Sequence, residues 1–111
     1  MKYALFVYDA PSSSQSLTSE QKHAIHGEYH AVAGSPGVFG HYRLRPPRRS
    51  TTVRVEGDRI VRTEGPIADT RDRLRGFFLV ESDDEAVLEL AARLPAARAG
   101  GAVEVWPLTE R

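Results

Sequence analysis

The stretch KYALFVY, Lys2–Tyr8, decides the fold. Its β-branched and aromatic residues read as a strand, closed by Pro11 and the serines after it. Side chains alternate along a strand, so Tyr3, Leu5 and Val7 share one face and Ala4, Phe6 and Tyr8 the other. Both faces are apolar. A sheet with helices on one face only would leave the second apolar face wet, so something further must cover it.

The elements around this strand follow from their punctuation. Thr18 is placed to cap a helix, with Gln21 completing a capping box. Ile25, Tyr29 and Val32 then recur at i, i+4 and i+7, one buried stripe, before Gly34, Pro36 and Gly37 end the helix. Val38–Leu44 reads as a second strand, stopped by Pro46-Pro47. Thr51–Val55 and Arg59–Thr63 form a hairpin around Glu56-Gly57-Asp58. Gly76–Glu81 is the next strand. Ser82 and Glu85 suggest another capping box, opening a helix with the stripe Val87, Leu90, Ala91 and Leu94 that Pro95 closes. Ala102–Trp106 is the last strand.

The order β-α-β, hairpin, β-α-β is the split βαβ pattern. It predicts one α+β, ferredoxin-like domain over residues 1–111, an antiparallel sheet with two helices on one face. The apolar strands 2–8 and 77–80 then need a cover on their second face. A second copy supplies it most simply, so a homodimer packed sheet to sheet is expected, of the dimeric α+β barrel type, with cavities beside the interface.

Composition removes several functions. The chain of 111 residues has no cysteine, which excludes thiol catalysis, thiolate metal sites and disulfides. Fifteen basic residues balance 15 acidic ones, and without a basic excess no nucleic-acid partner is expected. The bias of the basic residues toward arginine carries little weight. The N-terminal apolar run is too short for a secretory core and no stretch approaches membrane-spanning length, so a cytoplasmic protein without a membrane partner is expected. Nothing calls for a cofactor.

His23, His26 and His30 lie together in KHAIHGEYH. An i, i+4 histidine pair has the spacing of helical metal sites, but no carboxylate at a known metal spacing accompanies it and that face should be solvated, so no metal is expected. His26 alone, at the flank of the helix, could serve as an acid or base near neutral pH. In the hairpin, Val53 and Val55 are expected to pack under the helices, which turns Thr52 and Arg54 toward the dimer side. Arginine there suits a carboxylate or enolate, because its fork matches two oxygens. It suits an interface ion pair with Glu64 or Glu104 equally well. Gly65-Pro66 forces a tight change of direction that leaves Glu64 at an edge. Asp69–Arg73 could form one helical turn whose charges suit the dipole, a structural role.

At these residues the chain resembles the YCII-related superfamily, and within it the DGPF branch. That branch reads Asp-Gly-Pro-Phe, then Ala-Glu-Thr-Lys-Glu, then Leu-Gly-Gly followed by aromatics. Here the frame is Glu64-Gly65-Pro66-Ile67, Ala68-Asp69-Thr70-Arg71-Asp72 and Leu74-Arg75-Gly76-Phe77-Phe78. The start MKYALFVY, the strand Thr51–Arg54, the segment Glu89–Ala97 and the terminal Gly101–Val105 with Pro107 fit as well. The resemblance implies a dimeric ferredoxin-like domain. It also implies His26 as acid or base with Glu64 as its carboxylate. Thr52 and Arg54 from the hairpin, with Gly65 and Pro66 at the turn, are the expected substrate-binding residues. Two departures stand out. Glutamate is one methylene longer than the branch's aspartate, and Ile67 replaces an aromatic.

Two functions are therefore open. One is proton transfer on a small carbonyl or ring compound in a dimer cleft, with an organic acid or ring compound as partner. The other is a non-catalytic ligand-binding or protein-interaction module.

Overall fold

The computed structural model describes residues 1–10, 17–68 and 73–109. Strand β1 (Lys2–Tyr8) leads to helix α1 (Ser19–Ala33) and strand β2 (Val38–Arg43). A 3₁₀ turn (Pro47–Arg49) precedes the hairpin of β3 (Thr51–Glu56) and β4 (Arg59–Glu64). Strand β5 (Leu74–Glu81), helices α2 (Asp84–Ala92) and α3 (Pro95–Arg98) and strand β6 (Ala102–Pro107) complete the chain. Four strands form one sheet in the order β2-β5-β1-β6, antiparallel throughout. This is the predicted ferredoxin-like arrangement, with the two strands in the middle being the two that are apolar on both faces. β3 and β4 pair only with each other, as a separate two-stranded sheet.

The helix ends show why the chain folds this way locally. Thr18 caps α1: its hydroxyl accepts from the Gln21 amide at 3.0 Å, and the Gln21 side chain accepts from the Thr18 amide at 2.9 Å. The second capping box differs from expectation. Asp83, not Ser82, caps α2, its carboxylate accepting from the Ala86 amide at 2.7 Å while the Ser82 hydroxyl donates to the Asp83 carbonyl. A carboxylate both caps and complements the positive end of the helix, so the start moves one residue on. Pro95 likewise opens α3 instead of merely closing α2, because at the first helical position its missing N–H is not required.

The core lies between the sheet and the helices. Leu5 and Phe78 sit opposite each other on β1 and β5, 0% and 1% exposed, with Tyr3, Val7 and Val80 on the same face. Val32 of α1, Val87 and Leu90 of α2 and Leu94 close over them. The Tyr29 hydroxyl accepts the Ala96 amide at 3.2 Å, tying α1 to α3. Tyr3 donates to the Asp84 carboxylate at the start of α2.

The other face of the sheet has no helix. Phe6 and Phe77 lie with ring centroids 6.2 Å apart, and Tyr42 with Phe77 at 5.5 Å. Leu79 and Trp106 join this face through their pairing with Ala4. Glu104 stands among them, accepting from the Tyr8 hydroxyl at 3.1 Å and the Trp106 indole at 3.2 Å. The Glu104 carboxylate is thus held by these two donors and makes no ion pair with Arg54 within the chain.

One expectation about the hairpin fails. Val53 and Val55 do not pack under the helices: they are 57% and 68% exposed, as is Ile60 opposite Val55 at 61%. The hairpin leaves the sheet after Pro46-Pro47 and packs mainly on itself, so neither of its faces meets a helix. The radius of gyration, 15.9 Å, exceeds the roughly 13 Å of a compact chain of this length, as a projecting arm requires.

Candidate functional site

The residues singled out in the sequence fall in two places. The first is the root of the hairpin. Pro46 enters in an extended conformation, Pro47 opens the 3₁₀ turn, and the Ser50 amide returns to the Pro47 carbonyl at 2.9 Å. The Ser50 carbonyl then accepts the Gly65 amide at 2.9 Å, and the Thr52 hydroxyl donates to the Gly65 carbonyl at 2.7 Å. Gly65 has φ +94, a conformation that side chains resist, so glycine is needed there for its backbone alone. The peptide of Gly65 is thereby clamped on both sides. Glu64, paired with Thr51 at the last register position of the hairpin, is presented at its rim.

Two adjoining hollows of about 330 and 390 Å³ lie at this root. They share Pro46, Pro47 and Pro66. The first adds Leu44 and Leu74 with Arg45 and Arg49, and the second adds Arg48, Glu64 and Gly65. Of the sequence candidates, Glu64, Gly65 and Pro66 line this groove directly, and Thr52 supports it through its bond to Gly65. Arg54 does not line it. It stands further along the arm, opposite Val61.

Arg45, Arg48 and Arg49 were missed by the sequence reading. Their signal was the run RPPRR: proline at the first position of a helical turn is favourable, and a turn there gathers the flanking side chains. The predicted turn at Asp69–Arg73 falls, apart from Arg73, outside the described residues.

The second place is the seam between α1 and β2. His41 points to the helix side of the sheet, stacked on Phe78 with centroids 4.2 Å apart and planes 6° from parallel. Burial lowers its pKa below the usual 6.5, and the neighbouring Arg43, His30 and His26 lower it further. His26 and His30 therefore lie near His41 along this seam. His26 is exposed, and it makes no hydrogen bond or ion pair with Glu64 among the described residues. No group of three or more His, Asp or Glu that could hold a metal ion occurs among the described residues. No helix there is long and apolar enough to cross a membrane.

The sequence matches the family of the YCII-related domain over residues 1–110. The chain is a YCII-related protein. An uncharacterised protein of Rhizobium meliloti (strain 1021) is 32% identical to it over 117 residues, covering 97% of this chain and 92% of the relative. Among solved structures, the YCII-related chain is similar to 5-chloro-2-hydroxyhydroquinone dehydrochlorinase from Burkholderia phenoliruptrix AC1100, in complex with 2,5-dihydroxybenzoquinone. The TM-score is 0.54 at 16% identity, over 100% of this chain and 96% of the other. At that identity the likeness speaks to the fold, not to the chemistry.

Proposed function

We propose that this YCII-related protein acts on a small carbonyl or ring compound by acid–base chemistry, in the groove at the hairpin root. The observation that carries the reading is that Glu64, Gly65 and Pro66, the family-signature residues, line a hollow of single-ring size. Glu64 is the proposed acid or base there, and the clamped Gly65 peptide holds it at the rim. Proton transfer of this kind suits a dehydrochlorination, in which the carboxylate takes a proton and chloride leaves from the neighbouring carbon as the double bond forms, or an isomerisation, in which the proton taken from one carbon is returned at another. The dehydrochlorinase that shares the fold is compatible with that class.

His26 is the proposed partner of Glu64. The two lie in different places on one protomer, so the pair must be completed by assembly or closure. A homodimer is proposed for the same reason that the open face of Phe6, Tyr42, Phe77 and Trp106 needs a cover. Light scattering at micromolar concentration should then give twice the 12.3 kDa chain mass, and a monomer there would remove the dimer from the proposal.

The departure of His26 from Glu64 favours a second reading, a ligand-binding module without turnover. Turnover of chlorinated hydroxyhydroquinones by Glu64→Gln and His26→Ala decides between them. The enzyme reading expects each variant to lose at least about 100-fold in rate with its melting temperature retained. Unchanged rates in both, or no turnover in the wild type beside a saturable ligand, would leave the binding module.

A further inference from the structure

We infer that the groove at the hairpin root selects a single-ring compound carrying one anionic head, held by Arg45, Arg48 and Arg49. This rests on the groove being the binding cleft and adds its ligand class. Five residues of one short run, Arg45 to Arg49 with its two prolines, put three arginines on the groove wall. None of the three has an ion-pair partner among the described residues, where the ion pairs are Arg75–Asp9 and Arg98–Glu28. Among the described residues, Glu64 is the single carboxylate lining the same groove. Three arginines against one carboxylate among the described residues favour a negative group there.

The floor decides what that group is attached to. Leu44, Pro46, Pro47, Pro66 and Leu74 present apolar surface with few rotatable bonds, suited to the face of a ring. A guanidinium fork matches a carboxylate in two parallel hydrogen bonds, and such charge-assisted bonds are the strong ones. Each of the two hollows, about 330 and 390 Å³, is at the lower end for ligand sites, roughly 300–1,000 Å³, so one ring suits either. Glu64 repels the anionic head. The head therefore turns toward Arg45 and Arg49, and the far side of the ring comes to the carboxylate. The 3₁₀ turn and the clamped Gly65 hold this frame before any ligand arrives, which lowers the entropy cost of binding.

A chemical-shift titration with benzoate, benzamide and inorganic phosphate tests it. Benzoate should move the Ser50, Gly65 and Leu74 amides saturably, with benzamide and phosphate each binding at least about 10-fold more weakly. The Arg45→Gln/Arg49→Gln variant, with its melting temperature checked, should lose about 10-fold for benzoate and little for benzamide. Equal binding of benzoate and benzamide, or unchanged benzoate affinity in the variant, overturns the charge selection while the cleft stands. Phosphate binding as well as benzoate overturns the role of the floor. If neither ring compound moves these amides, the cleft itself fails, and the wild-type measurement shows this without any variant having to fold. Turnover lost in Glu64→Gln while benzoate binds the double arginine variant normally would sink this inference alone.

Discussion

The two sheets of this protein are built by opposite rules. The four-stranded sheet is closed on one face by helices, and its inward residues are almost fully buried. The two-stranded arm is exposed on both faces, with Val53, Val55 and Ile60 in solvent. A hairpin alone is marginally stable in water, so the arm depends on its root or on a partner. The stable sheet carries the fold, while the arm carries the family signature and the groove. The proposed chemistry sits where packing is least demanding, since groove residues need not serve the core.

This contrast can be broken by mutation, beginning with the core. Phe78→Ala should cost about 3–5 kcal/mol of stability in a urea melt, because it empties a site closed on all sides. A loss near 1 kcal/mol would mean the helix layer is looser than it looks.

Two glycines test the same difference at the backbone level. Gly37, with φ +90, would place a new Cβ 2.4 Å from the Glu81 carbonyl oxygen in the sheet. Gly65 has nearly the same φ, yet nothing lies within 4 Å of its Cβ position. Gly65→Ala should therefore cost strain alone, about 1–2 kcal/mol, while Gly37→Ala should exceed about 3 kcal/mol. Equal losses would show that strain, not the carbonyl contact, sets both.

Ile60→Ala sharpens the comparison furthest for a small effect. On an uncovered arm it should change stability by no more than about 0.5 kcal/mol. A loss above about 2 kcal/mol, varying with protein concentration, would place the arm against a second copy.

The smallest effect belongs to pH. His41 is depressed below its usual value of 6.5 by burial first and then by Arg43, His30 and His26. The folded protein thus binds the proton less readily than the unfolded chain. Stability should be flat with respect to this group above about pH 6.5 and fall as the pH drops below it. His41→Phe should flatten that fall in melting temperature between about pH 7.5 and 5, since its ring keeps the stack on Phe78 without the charge. An unchanged slope would assign the fall to other groups.

Much of this was legible in the chain. KYALFVY announced a strand apolar on both sides because alternation is a local property of extended backbone. Thr18 and Gln21 announced the start of α1 because a capping box closes within four residues. The arm was legible as a hairpin, but its direction was not. Val53 and Val55 have the pattern of a buried face, and only the turn at Pro46–Arg49 shows that no helix reaches them. The same holds for Asp83: two adjacent polar residues both suit a cap, and the one with the better hydrogen bond and charge wins.

The sequence by itself determined the order of the main elements, the inward stripes of α1, α2 and β1 and the signature at Glu64-Gly65-Pro66, since these rest on local spacing. Only the tertiary structure decided what stands beside that signature. It brought Arg45, Arg48 and Arg49 to Glu64 across 15 and more positions of chain, and it placed His26 with His41 instead. Neither juxtaposition has a local cause. Both follow from how the arm leaves the sheet and how α1 lies across it, and those are settled by the packing of the whole core.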